Sequence, residues 1–351
     1  MPAPGFDPNA AAPADSGIFG LPRDEAGAQV VYLPVPWEAT TSYGGGTANG
    51  PDAILRASRQ VDLFDLEVDR PYEAGFHLLA PDPRIIAWNT EARPLAESVI
   101  ELGGVIGTDR ALRDALARVN ALSEEMNAAV RSAAASIFEA GRIPALVGGD
   151  HSTPFGAIEA AARRHPGLGV LQVDAHMDLR LAYEGFTWSH ASIMRNVIDH
   201  LDGVGRLVQV GIRDFCEEEV DCVAASGGRI RVHYDADLAG RKFAGEGWGA
   251  AVPRIVSDLP HDVWISFDID GLDPRLCPHT GTPVPGGLDF NEAVYLMAEV
   301  ARSGRRIVGF DLNEVSPGPE GEWDANVGAR LLYRLTAWTL VSQGLRQERA
   351  R

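Results

Sequence analysis

The chain has 351 residues, 45% hydrophobic and 23% charged, with a formal net charge of −18. These are the proportions of a folded globular protein, and the negative charge argues against nucleic-acid phosphates or an anionic membrane as partners. Three cysteines (Cys216, Cys222 and Cys277) are too few for a disulfide framework and match no zinc-site spacing.

The opening MPAPGFDPNAAAPADSG lacks a basic n-region and an apolar h-region. No apolar run approaches the roughly 20 residues that span a bilayer. A soluble, cytoplasmic protein is expected. Residues 1–25, rich in Ala, Pro, Gly and Asp, predict a flexible arm, and residues 26–345 predict a single domain. Residues 29–35 read as a first strand. The glycine-rich stretch from Ser42 leads to Pro51, which suits the first turn of a helix ending near Arg59. This loop lacks the spacing of a phosphate-binding loop. Residues 66–105, with four prolines, are expected to be irregular. A long Ala-rich amphipathic helix follows over about 109–140.

From there short apolar runs alternate with helical patterns. Strands are expected at 143–147, 168–173, 206–210, 229–232, 263–269 and 305–312. Helices are expected at 154–164, 216–225, 248–258, 289–303 and 324–342. This alternation predicts a three-layer α/β/α fold with a mainly parallel central sheet.

In such folds ligands bind beyond the carboxyl ends of the strands. Four of the expected strands end in chemically active residues: Asp150 and His151; Asp174, His176 and Asp178; Asp268 and Asp270; and Asp311 and Glu314. If the backbone stays extended, Asp174, His176 and Asp178 share a face, as do Asp268 and Asp270. With His151 they bring four carboxylates and two imidazoles to one crevice. Bare carboxylates so crowded repel one another, and two divalent ions supply the balancing charge. Mixed imidazole and carboxylate donors suit Mn²⁺, Ni²⁺, Fe²⁺ or Zn²⁺ better than Mg²⁺ or Ca²⁺. Two neighbouring ions can share a water and lower its pKa.

The motifs GGDHS (148–152), VDAHMDLR (173–180), SFDIDGLDP (266–274), TGTPVPGG (280–287) and DLNEVSP (311–317) resemble those of the ureohydrolase (arginase/agmatinase) family, over roughly residues 30–340. The resemblance implies a binuclear centre, commonly manganese, sometimes nickel, and a homotrimer or homohexamer. Assembly with a paralogous chain is a further alternative. It implies that His151 and Asp178 serve one ion, His176 and Asp270 the other, and that Asp174 and Asp268 bridge. It also implies hydrolysis of a guanidine C–N bond to urea plus ammonia or an amine. Glu314 matches the residue that holds the guanidinium, although it could instead cap a loop. His190 matches the proton carrier, although it could simply start a helix.

The loop after Asp178 carries Leu179, Leu181, Tyr183, Phe186 and Trp188 where arginases place small polar groups. Cys216 stands where arginases carry an aspartate near the substrate amine. Phe186 and Trp188 are therefore expected to wall the pocket, with His279 at its mouth. The pattern looks most similar to the guanidine-hydrolase-like branch. Guanidine, a short alkyl or methyl guanidine, or a biguanide is the expected substrate, with agmatine or guanidinobutyrate as the alternative.

Overall fold

Strands β1 (Val30–Val35), β3 (Ile143–Gly148) and β4 (Leu168–Val173) are buried along their whole length in a computed structural model that describes residues 6–319 and 321–350. A strand covered on both faces has no polar side, which is why these segments read as unbroken apolar runs. Five more strands complete the sheet: β2 (Phe76–Leu78), β5 (Val204–Ile212), β6 (Ile230–Tyr234), β7 (Asp262–Asp268) and β8 (Arg306–Asn313). Their order is β2-β1-β3-β8-β7-β4-β5-β6, and every pairing is parallel.

One face packs on α1 (Gly50–Ser58), α7 (Asp235–Phe243), α8 (Trp248–Ser257), α9 (Phe290–Arg302) and α10 (Trp323–Ser342). The other packs on α2 (Pro83–Ile100), α3 (Arg110–Glu139), α4 (Phe155–Arg164) and α5 (Ile193–His200), with α6 (Glu217–Ala225) at its margin. This is the expected α/β/α arrangement.

Two expectations are corrected. The segment expected to be irregular contains β2 and the 18-residue helix α2. Pro83 opens that helix, where its missing N–H costs nothing, and Asp82 caps it by accepting from Arg84 N at 2.8 Å. Pro94 lies inside the helix and disguised it. The expected arm is also not loose throughout. Its first five residues lie outside those described, but Ile18 and Phe19 are core residues. The Phe19 ring meets Tyr333 edge-on at 5.1 Å and Phe76 at 6.0 Å. Burying two large apolar side chains outweighs the flexibility of the surrounding Ala, Pro and Gly.

Candidate metal centre

Strands β3, β8, β7 and β4 are consecutive in the sheet, and their carboxyl ends carry the candidate ligands. Gly149 follows β3 because a side chain there would fall on the backbone of Trp37. His151 Nδ1 lies 2.9 Å from Asp174 Oδ2, 3.1 Å from Asp178 Oδ2 and 3.3 Å from Asp268 Oδ2. His176 Nδ1 lies 3.0 Å from Asp270 Oδ2 and 3.5 Å from Asp174 Oδ1. Two groups able to hold a cation result: His151, Asp174 and Asp178; and Asp174, His176 and Asp270. Asp174 belongs to both.

The convergence does not come from extended alternation. Asp178 adopts φ +55° and so turns back towards His151. After Asp268 the chain makes a 3₁₀ turn, Ile269–Gly271, in which Asp268 accepts from Asp270 N at 2.8 Å. Arg213 braces this turn by donating to Asp270 O at 2.6 Å and Leu272 O at 3.2 Å.

The donor chemistry fits a cation. Ser266 Oγ donates to Asp311 Oδ1 at 2.9 Å and lies 3.0 Å from His151 Nε2. The serine proton is thus engaged, so Nε2 carries an imidazole proton and Nδ1 is the atom left to face a cation. Nδ1 is buried among three carboxylates; burial opposes its protonation, but Asp174, Asp178 and Asp268 hold the imidazole well above its ordinary value, so a cation binds here by displacing the Nδ1 proton. Burial and the charge of Asp174 push Asp178 up to about 7. Burial, Asp270 and Asp174 push Asp268 well above the carboxylate range. A divalent cation between these atoms relieves both the repulsion and the unpaired donors.

Sequence reading missed the support beneath this layer. Gln209 pairs with Gln172, Gln172 with Ser266, and Ser266 with Asp311 in the registers of neighbouring strands. The result is one buried polar row across β5, β4, β7 and β8. Gln172 donates to Asp174 Oδ2 at 2.7 Å, and Gln209 donates to Gln172 at 2.6 Å. A signal existed: Gln172 and Ser266 stand two residues before Asp174 and Asp268, on the same strand faces.

A cavity of about 490 Å³ opens over the centre. His151, His176, Asp178, Asp268, His190 and Glu314 all reach it. Burial, helped by His176 and His151, pushes His190 down to about 3, so its ring is neutral near neutral pH. Glu314 adopts φ +61° and is 6% exposed. Its Oε1 accepts from His151 N at 2.9 Å, while Oε2 is buried without a partner among the described residues.

The expected substrate contacts are corrected. Phe186 is a core residue of the layer under α3 and α4, and Trp188 packs on Phe155 at 4.8 Å. Neither reaches the cavity, because the loop gains more by burying these rings than by showing them to water. His279 also stays outside the wall, held by Asp324 at 2.8 Å. The aromatic wall is instead Tyr43, Tyr183 and Phe215, with Arg180 and Asp214 beside them.

A fully parallel α/β/α sheet whose central strand ends hold two adjoining cation positions defines a binuclear metalloenzyme. Residues 28–337 match the arginase family, and the chain belongs to that family of hydrolases acting on amidino C–N bonds. It is 31% identical to N(1)-aminopropylagmatine ureohydrolase of Thermus thermophilus, over 90% of this chain and 92% of that one. It is 30% identical to proclavaminate amidinohydrolase of Streptomyces clavuligerus, over 90% and 91%. In fold it is similar to a solved structure of proclavaminate amidinohydrolase from Streptomyces clavuligerus (TM-score 0.70, 24% identity, 95% of this chain and 99% of that one). Agmatine ureohydrolase of Thermoplasma volcanium is similar in the same way (TM-score 0.68, 23% identity, 97% of each chain).

Proposed function

We propose that the chain hydrolyses a guanidine C–N bond, releasing urea and ammonia or an amine. The observation that carries this reading is the unpartnered Glu314 Oε2, facing a cavity floored by the two acid–imidazole groups. A buried carboxylate oxygen without a donor calls for one, and a guanidinium supplies charge and N–H together.

His151 and Asp178 would hold one ion and His176 and Asp270 the other, with Asp174 and Asp268 available to both. Two divalent ions held there, Mn²⁺ or Ni²⁺ by the donor set, would supply the Lewis acidity that activates water as the nucleophile. Glu314 fixes the guanidinium over that position. His190, neutral at rest, takes up a proton and passes it to the departing nitrogen. Its depressed pKa favours giving the proton up to the nitrogen and makes taking it on the harder half of the relay.

Substrate length separates two readings. The loss of the Phe186 and Trp188 wall removes the main reason to expect a compact guanidine. A cavity of about 490 Å³, with Asp214 and three aromatic rings in its outer wall, favours a guanidine carrying an amine tail, such as agmatine. The names of the Thermus thermophilus relative and of the agmatinase of Pyrococcus horikoshii support the same reading. All six candidate ligands are present, which speaks against a non-catalytic subunit. Among the described residues no helix is long and apolar enough to cross a membrane. We place the enzyme in the cytoplasm as a homotrimer or homohexamer.

Urea release from guanidine, methylguanidine, 4-guanidinobutyrate, agmatine, N(1)-aminopropylagmatine and L-arginine tests the proposal with the metal-loaded protein. Preference for agmatine or its longer homologue supports the tailed reading. Preference for guanidine or methylguanidine restores the compact one, and no urea from any compound overturns both.

A further inference from the structure

Asp324, the second residue of α10, is fully buried and spends both carboxylate oxygens on one residue. Oδ1 accepts from His279 N at 2.9 Å, and Oδ2 accepts from His279 Nδ1 at 2.8 Å. Gly318 lies flat against the imidazole, and a side chain there would strike the ring. A buried carboxylate is expensive to keep, and here two hydrogen bonds to one residue offset that cost.

The segment that His279 anchors touches Glu314. Thr280 Oγ1 donates to the carbonyl oxygen of Glu314 at 2.8 Å. The Cβ direction of Gly281 points to within 3.6 Å of the unpartnered Glu314 Oε2, and its backbone abuts Gly44, next to Tyr43. Thr282, Pro283 and Val284 form part of the cavity wall. Arg213 holds the far end of the segment, donating to Val284 O at 2.9 Å. Residues 279–284 are thus a strap behind Glu314, fixed at one end by Arg213 and at the other by Asp324.

We propose that His279 and Asp324 are positioning residues that latch this strap and so hold Glu314 in its left-handed backbone conformation, with Oε2 set for the substrate guanidinium. This rests on the reading of Glu314 given above. The latch acts on substrate placement, and neither residue touches a candidate ligand; it meets the metal layer through Glu314 Oε1, which accepts from His151 N at 2.9 Å.

The test compares His279→Ala, His279→Asn and Thr280→Val in the full chain loaded with Mn²⁺. Asparagine can set its amide nitrogen where Nδ1 stands, and valine removes only the hydroxyl that bonds Glu314. With agmatine and guanidine as probes, His279→Ala and Thr280→Val are expected to raise KM about fivefold or more, while His279→Asn stays near the wild type. Metal content is expected to be unchanged in all three. Hydrogen exchange reads the latch without any substrate: amides of residues 280–284 and 314–316 should exchange about tenfold faster in His279→Ala. Unchanged exchange there, or equal damage from alanine and asparagine, overturns the latch. If His279→Ala does not fold, Thr280→Val decides on the same two readouts. Wild-type protein that releases no urea but shows the exchange effect rejects the assigned reaction and keeps the latch.

Discussion

His151 and Ser266 meet at 3.0 Å, and the serine passes the contact on to Asp311 2.9 Å away. The imidazole is thereby turned so that Nδ1, the ring nitrogen available to a cation, faces three carboxylates. Ser266→Ala removes the acceptor that fixes this tautomer. Metal affinity is expected to fall about 10- to 100-fold, read by competition with a calibrated chelator. An unchanged affinity would show that the serine merely fills space.

Asp174 belongs to both acid–imidazole groups, whereas Asp178 belongs to one. Asp174→Ala should therefore empty both positions, taking bound metal from about two ions per chain to near zero. Asp178→Ala should spare the second position and retain about one ion. Elemental analysis after gel filtration distinguishes the outcomes, and equal loss from both variants would contradict the shared role of Asp174.

Stripping the ions leaves four buried or nearly buried carboxylates facing one another. Chelation is expected to lower the thermal midpoint, and Mn²⁺ at about 100 times its Kd should return about 2.7 kcal/mol of stability. A midpoint indifferent to chelator would mean that the ions do not bind in this layer.

Phe186 is 1% exposed within the core, so Phe186→Ala should cost about 3–5 kcal/mol of unfolding free energy and leave KM alone. Tyr183→Ala should do the reverse, raising KM about fivefold, because its ring lines the cavity and supports both Arg180, 5.1 Å above it, and His190, edge-on at 5.9 Å. Denaturant unfolding and steady-state kinetics on the same two variants check the contrast.

Alkali gives a further test. Burial raises Tyr32 and Tyr333 well above the ordinary tyrosine value; a hydrogen bond with Thr336 partly offsets this for Tyr32, and the charge of Asp65 reinforces it for Tyr333. Below about pH 10 both states keep these hydroxyls protonated, and the contribution is fully present. Above it only the unfolded chain ionises them, so stability should fall by roughly 2.7 kcal/mol per pH unit for the pair. Tyrosinate absorbance should rise in two stages, the later one with unfolding. Free titration of both residues in the folded protein would refute this.

The sheet was readable because its buried strands are short, apolar and followed by helical periods. The six candidate ligands were readable because each stands just past such a run. What escaped was whatever depends on neighbours distant in sequence. Pro94 hid α2, since local rules disfavour a proline that packing tolerates there. Phe186 and Trp188 looked like pocket walls because composition cannot say which way a loop turns its rings. Ser266 was silent, and Asp311 stood out only as one more carboxylate, because their roles in orienting His151 arise from the register of β7 on β8. The left-handed backbone at Asp178 and Glu314 had no glycine to announce it.

Strand β8 stands in the middle of the sheet, although it is the last strand to be synthesised. Among the described residues it joins the block β2-β1-β3 to the block β7-β4-β5-β6. Until residues 306–313 have left the ribosome, His151 sits on one half-sheet and Asp174 and Asp268 on the other, with no strand between them. A chain lacking β8 would therefore leave two half-sheets with bare edges, and the candidate ligands of the centre would be divided between them.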